Sequence, residues 1–176
     1  MSGYISTARE LARTMLADVT RFRTLVGAAN QAGALARIYN GALPPPVEGA
    51  GMERTVEELK ALRPFARVWT SPVNGYSIRA RGTNGATRQW GDKGTVFIEI
   101  EDNVAAGISD DESAVQIAGE DLFGEIIQGL IGLIGGASYL NVTDIEVVDG
   151  PGRIAQEMWE TYGDTIGGIL KLEWES

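Results

Sequence analysis

The chain has no cysteine and no histidine. Without cysteine there is no disulfide, no thiolate metal site and no thiol nucleophile. Without histidine the usual general base, the commonest metal ligand and the Ser–His dyads are gone. Carboxylate, lysine or tyrosine chemistry stays open, but the composition weighs against an enzyme. Long apolar runs are also missing. The longest, residues 126–140, is interrupted by Gln128, Ser138 and several glycines, and falls short of the roughly 20 apolar residues that span a bilayer. The start, Met1-Ser2-Gly3-Tyr4, lacks the charged and apolar regions of a signal peptide, so none is expected. Gly91-Asp92-Lys93-Gly94-Thr95 is not a phosphate loop, because Lys93 is followed by Gly94 and a strand pattern rather than by Ser or Thr and a helix. No cofactor motif is found, and no cofactor is expected.

Charge is unevenly distributed. Residues 1–90 hold 12 Lys and Arg against 6 Asp and Glu, whereas residues 91–176 hold 3 against 18. The net charge of −9 therefore hides a basic front and an acidic back. Copies of such a molecule can meet head to tail, and heterologous contacts of that kind close into rings or run on as filaments. An acidic chain of pI about 4.5 is a poor general DNA binder, yet it can line a passage through which DNA slides.

The length suits one folded unit with a real core. Two regions are expected, an N-terminal helical arm with a Pro-rich connector over 1–50 and an α+β core over 51–176. Residues 6–40 carry apolar positions at helical spacing (Leu11, Met15, Val19, Phe22), with Thr7 and Glu10 as a capping box and a break near Gly27 and Asn30. The arm has little core of its own. It either docks on a neighbouring subunit, with Arg9, Arg13, Arg21 and Arg23 facing acids, or folds back on its own domain. Leu43-Pro44-Pro45-Pro46 reads as a stiff connector. Thr55-Val56-Glu57-Glu58 is a second capping box, opening a helix that Pro64 stops.

Strand signals follow. Residues 66–70 and 76–81 alternate, and Pro72-Val73-Asn74-Gly75 reads as the hairpin turn between them. Residues 82–94 read as a polar loop. Residues 95–101 alternate Val96, Ile98 and Ile100 against Phe97, Glu99 and Glu101. A long helix capped by Ser109, Asp110 or Asp111 has a core stripe through Val115, Ala118, Leu122, Ile126, Leu130 and Leu133 or Ile134, widened by Phe123, Ile127 and Ile131. Its glycines imply close packing of another backbone. Residues 142–148 form a strand, 150–152 a loop, and 154–161 a helical turn or irregular stretch. The last strand, 165–175, places Leu170, Leu172 and Trp174 on its buried face. The fold class is α+β: a mostly antiparallel sheet of four to five strands, a long helix across one face and an N-terminal helical arm.

Candidate interface residues follow from these patterns. Arg67, Arg79, Arg81 and Arg88 gather on the hairpin and loop, with Trp69, Trp90 and Phe97 as apolar neighbours. Glu99, Glu101, Glu120 and Asp121 are the acidic counterparts on the strand and long helix. Glu99, Glu101 and Asp102 match no calcium-loop spacing, and no metal or catalytic residue is assigned.

The element order, with two local stretches, resembles the tail terminator proteins of long-tailed bacteriophages. One stretch is the ending Gly167-Gly168-Ile169-Leu170-Lys171-Leu172-Glu173-Trp174-Glu175. The other joins Ala34-Leu35-Ala36-Arg37-Ile38-Tyr39, Leu43-Pro44-Pro45-Pro46 and Leu59-Lys60-Ala61-Leu62-Arg63-Pro64-Phe65-Ala66, and looks like phage neck-region proteins. The resemblance implies a homo-oligomeric ring, of six copies, that caps the tail tube and joins it to the head–tail connector. Its implied partners are the tail tube protein and connector proteins, with DNA passing through the lumen and no membrane. It implies no catalytic residues and a place in the virion. A head-closure or tail tube protein and, from a different class, a carboxylate-dependent enzyme are the alternatives.

Overall fold

A computed structural model describes residues 4–46, 54–70, 76–81, 89–136, 138–153 and 164–175. Its elements in order are α1 (Tyr4–Asp18), α2 (Thr20–Leu25), α3 (Gln31–Leu35), β1 (Ile38–Asn40), α4 (Val56–Leu62), β2 (Phe65–Thr70), β3 (Tyr76–Arg81), β4 (Gln89–Asn103), α5 (Glu112–Leu133), β5 (Val142–Arg153) and β6 (Thr165–Glu175). The sheet order is β1-β2-β4-β6-β5, with β3 also on β4. All pairs are antiparallel except β1 with β2. This is the expected α+β architecture, with one strand more than the sequence pattern suggests.

The extra strand comes from the N-terminal stretch, which alternation and capping signals alone read as helix to residue 40. The chain there is three helices and β1. Val19 takes an extended conformation between α1 and α2, so the first break precedes Gly27. Asn30 caps α3, its Oδ1 accepting from the Gly33 amide at 2.9 Å. Tyr39 is not part of a helical stripe, because β1 is pulled straight by its parallel register with Ala66, Arg67 and Val68. Thr7 and Glu10 lie inside α1 and not at its cap.

The capping box at Thr55 forms as expected. The Thr55 hydroxyl oxygen accepts from the Glu58 amide at 3.2 Å, and the Glu58 carboxylate accepts from the Thr55 amide at 2.9 Å. The turn 71–75 lies outside the described residues, but the hairpin expected from it is replaced by another arrangement. β2 pairs with residues 96–101 of β4 and β3 with residues 89–94, so the two follow one another along one edge of a single long strand. Residues 89–94 are therefore strand and not loop; 82–88 lie outside the described residues. Residues 150–152 likewise continue β5 through a register shift. The stretch 154–161 lies outside the described residues.

One face of the sheet is buried by helices. Val68, Val96, Ile98, Ile100, Leu170 and Leu172 share a core with Met15, Leu16 and Phe22 of α1 and α2 and with Leu122, Phe123, Ile126 and Leu130 of α5. α1 lies over β2 and β4, and α5 lies over β5 and β6. The N-terminal region thus does not stand off as an arm: it folds back and supplies part of the only core cluster of the described residues. The physical reason is area. Phe22, Met15 and Leu16 are fully buried here, and apolar burial of about 25 cal/mol per Å² favours closing the chain on its own sheet.

The α5 glycines divide into two kinds. A Cβ at Gly129 would lie 2.6 Å from Val19 Cγ1, and one at Gly119 would lie 3.3 Å from the Gly152 amide nitrogen. These two admit close approach of α2 and β5. Gly124 and Gly132 meet nothing within 4 Å. Asp111 supplies the cap of α5, accepting from the Ala114 amide at 3.1 Å. Ile131, expected in the core stripe, is 56% exposed. It sits 5 positions after Ile126, a spacing that turns it away from the sheet.

Candidate functional site

Alternation along β2, β4 and β6 puts every second residue on the sheet face that the helices leave. The register there brings Trp69, Phe97, Lys171 and Glu146 into one cross-strand row, and Arg67, Glu99 and Ile169 into the next. The Trp69 and Phe97 rings stack with centroids 5.6 Å apart. Arg67 pairs with Glu99 and lies 3.8 Å from Glu101. Glu101 is buried and is held by Arg63 Nε at 3.1 Å, where the Arg63 side chain is itself fully buried. Shielding thus grades along the face. Phe65 at one end is fully buried against Tyr39, and the face opens toward Trp69.

Burial pushes the Glu99 carboxyl above the usual carboxylate range; the Arg67 guanidinium pulls the other way, and the Glu101 charge adds to the rise. Burial raises Asp102 as well, against the Asn103 amide and the charges of Arg21 and Arg63. At the opposite side, Lys171 bridges Glu173 at 2.9 Å and Glu146 at 3.1 Å. The hydrogen bonds that the Lys171 ammonium donates to Glu173 and Glu146 raise Lys171, and the one to Glu173 holds that carboxyl below the usual range.

The candidate interface residues therefore divide. Arg67, Trp69, Glu99 and Glu101 come together on one sheet face, and their charges and rings find partners within the chain. Arg79 and Arg81 lie on β3, in register with Gly91 and Gln89. Arg88 lies outside the described residues. Glu120 and Asp121 are exposed on α5, remote in the sheet order from β2, and Glu120 accepts from Gln116 Nε2 at 2.9 Å. Arg13 of α1 and Arg21 of α2 are also engaged inside the chain. Arg13 binds Glu10 at 2.7 Å and the Ile38 carbonyl at 2.9 Å, and Arg21 pairs with Glu125 of α5 at 2.6 Å.

Three polar residues that the sequence pattern did not single out organise this layout. Arg63 neutralises Glu101. Asp18 accepts from Gln31 Nε2 at 2.6 Å and from the Tyr139 hydroxyl at 2.8 Å, tying α1 to the segment between α5 and β5. Arg153 reaches Glu112 at 3.1 Å, Asp164 at 3.0 Å and the Ser109 carbonyl at 2.5 Å, pinning the start of α5 to the start of β6. Most of these partners lie tens of positions away along the chain, so the fold and not the local sequence reveals the pairings.

Charge also follows the sheet order. β2 and β3, on one side of β4, carry Arg67, Arg79 and Arg81 and no acid. β5, at the other side, carries Asp144, Glu146 and Asp149, with Arg153 at its end paired to Glu112 and Asp164. α5, which covers β5, exposes Glu112, Glu120, Asp121 and Glu125. Among the described residues no group of three or more Asp or Glu side chains is arranged to hold a metal ion, and no helix is long and apolar enough to cross a membrane. No protein-family model matches the chain, and no curated protein matches it.

Proposed function

We propose that the chain is a virion structural protein of the tail-terminator kind, one subunit of a closed ring, of six copies, that caps the tail tube of a long-tailed bacteriophage and joins it to the head–tail connector. The observation that carries this reading is the opposite charge on the two sides of one sheet: arginines on β2 and β3, carboxylates on β5 and α5. Surfaces of opposite sign on opposite sides of a subunit favour heterologous contacts, which generate rings where the rotation closes. A net charge of −9 supports a lumen that DNA traverses without binding. In this reading the partners are further copies of the chain, the tube protein and the connector, and its place is the neck of the virion. Electron microscopy and mass measurement of the purified chain in moderate salt test it. Closed rings are expected. Open filaments would favour a tube protein, and a strict monomer both alone and in an assembled particle would sink the ring.

A further inference from the structure

We infer that neighbouring copies join through their sheet edges, the β3 edge of one subunit pairing with the β5 edge of the next, so that the sheet continues from subunit to subunit. The inference rests on the ring reading and adds to it the identity of the contact.

Three lateral strands border the sheet. β1 is short, and its Ile38 carbonyl is taken by Arg13 from α1. β3 and β5 each have a strand neighbour on one side only among the described residues. An unpaired strand edge presents a row of amides and carbonyls that can template another strand, and charge is a common means of controlling which one. β5 is exposed from Thr143 to Gly150 except for half-buried Ile145. Val147 and Val148 are 38% and 43% exposed, and the register shift between Val147 and Asp149 leaves Val148 without a partner position on β6.

The charges select the partner. Asp144 and Asp149 on β5, with Glu146 shared with Lys171 of the same chain, repel a second β5, and Arg79 and Arg81 on β3 repel a second β3. Both two-fold pairings are thereby disfavoured, whereas β3 against β5 brings unlike charges together. The two strands lie at opposite lateral edges of the sheet, so this contact is heterologous and repeats around a ring. Main-chain hydrogen bonds supply the affinity, and charge sets the choice of edge.

Two variants of the full chain test the pairing: Asp144→Lys with Glu146→Lys, and Arg79→Glu with Arg81→Glu. The first keeps Glu173 as a partner for Lys171. Each variant alone should run as a folded monomer, judged by circular dichroism and sedimentation. An equimolar mixture should regain assemblies of even copy number, because an acidic β3 then meets a basic β5 and the reverse. Hydrogen exchange on the unaltered chain is the second readout, independent of how the variants fold. The amides of 78–80 and 147–149 should exchange on the order of tenfold more slowly in the assembly than after dilution. Rings formed by either variant alone, folded variants that do not reassemble on mixing, or unchanged exchange at both strands overturn the pairing and leave the ring reading standing. An unaltered chain that never leaves the monomer removes the ring reading itself.

Discussion

The two faces of this sheet use the same strands and different chemistry. On the helix-covered face, Val68, Val96, Ile98, Ile100, Leu170 and Leu172 have no exposed surface. On the other, the alternate residues are Arg67, Trp69, Phe97, Glu99 and Lys171, most of them half-buried and joined in ion pairs or a ring stack. The first face is held by volume, the second by register. A residue on the first face is lost to the core if truncated, wherever its neighbours stand. A residue on the second face depends on one or two named partners across the strands. The contrast also bears on assembly, since charges already paired inside a subunit contribute little to a neighbour. That moves attention from Arg67 and Glu99 to the strand edges.

The largest effect should come from the covered face. Phe22 of α2 is fully buried in the shared core, so Phe22→Ala should lower stability by about 3–5 kcal/mol in denaturant unfolding. Deleting residues 1–50 should unfold the remainder. A truncated chain that keeps its cooperative unfolding transition would show that the N-terminal helices do not belong to this core.

The Arg63–Glu101 pair is next. Glu101→Gln leaves the Arg63 guanidinium buried beside a neutral amide, and removing one partner of a buried pair costs about 3 kcal/mol or more. Replacing both, Arg63→Met with Glu101→Leu, should cost much less than the single change, because no buried charge is left without its partner. A double-mutant cycle by urea denaturation checks the non-additivity. Additive losses would mean that Arg67, 3.8 Å away, carries Glu101 instead.

Most of the strands, the long helix and the Thr55 cap were legible from sequence because each rests on a local rule. β6 matches its expected range because period-2 alternation runs through Leu170, Leu172 and Trp174 with nothing to interrupt it. The N-terminal packing was not decidable that way. Leu11, Met15 and Phe22 give the same helical stripe whether it lies on this sheet or on another subunit's. β1 was hidden because three residues are too few to show a period. The placement of β2 and β3 along one edge of β4 needed the long-range register, since Asn74-Gly75 gives an ordinary hairpin signal. Among the candidate interface residues, charge and type were readable, but their partners were not: Arg63 and Glu101 lie 38 positions apart.

A pH effect follows on the open face and should be smaller than the loss of the buried pair. The Glu99 carboxyl is raised above 4.5, chiefly by burial. A carboxyl raised in the folded state binds its proton more tightly there than in the unfolded chain. Folding stability therefore falls as pH rises from the unfolded value toward the folded one. Asp102 is raised by the same cause and acts in the same sense. Glu99→Gln should flatten the decline of stability just above pH 4.5, measured by urea titrations at closely spaced pH. An unchanged slope would assign the decline to Asp102 alone.

The smallest effect separates the inner and outer sides of α5, the helix that makes the covered face. Gly124 and Gly132 are exposed, have ordinary helical conformations, and would place a Cβ where nothing lies within 4 Å. A helix-interior glycine costs roughly 0.5–1 kcal/mol against alanine through the freedom it gives the unfolded chain. Gly124→Ala should therefore raise stability by about that amount. Gly132→Ala should raise it by less, because Gly132 stands beside the last residue of the helix, where fraying already weakens it. The isolated subunit gives these gains whether or not it assembles. If Gly124 and Gly132 lie outside the β3–β5 contact, the assembly should form equally well with both alanines. A chain that is stabilised as a monomer but no longer assembles would place this side of α5 in a subunit contact, and the two small glycine gaps would then be where a neighbour's surface comes close.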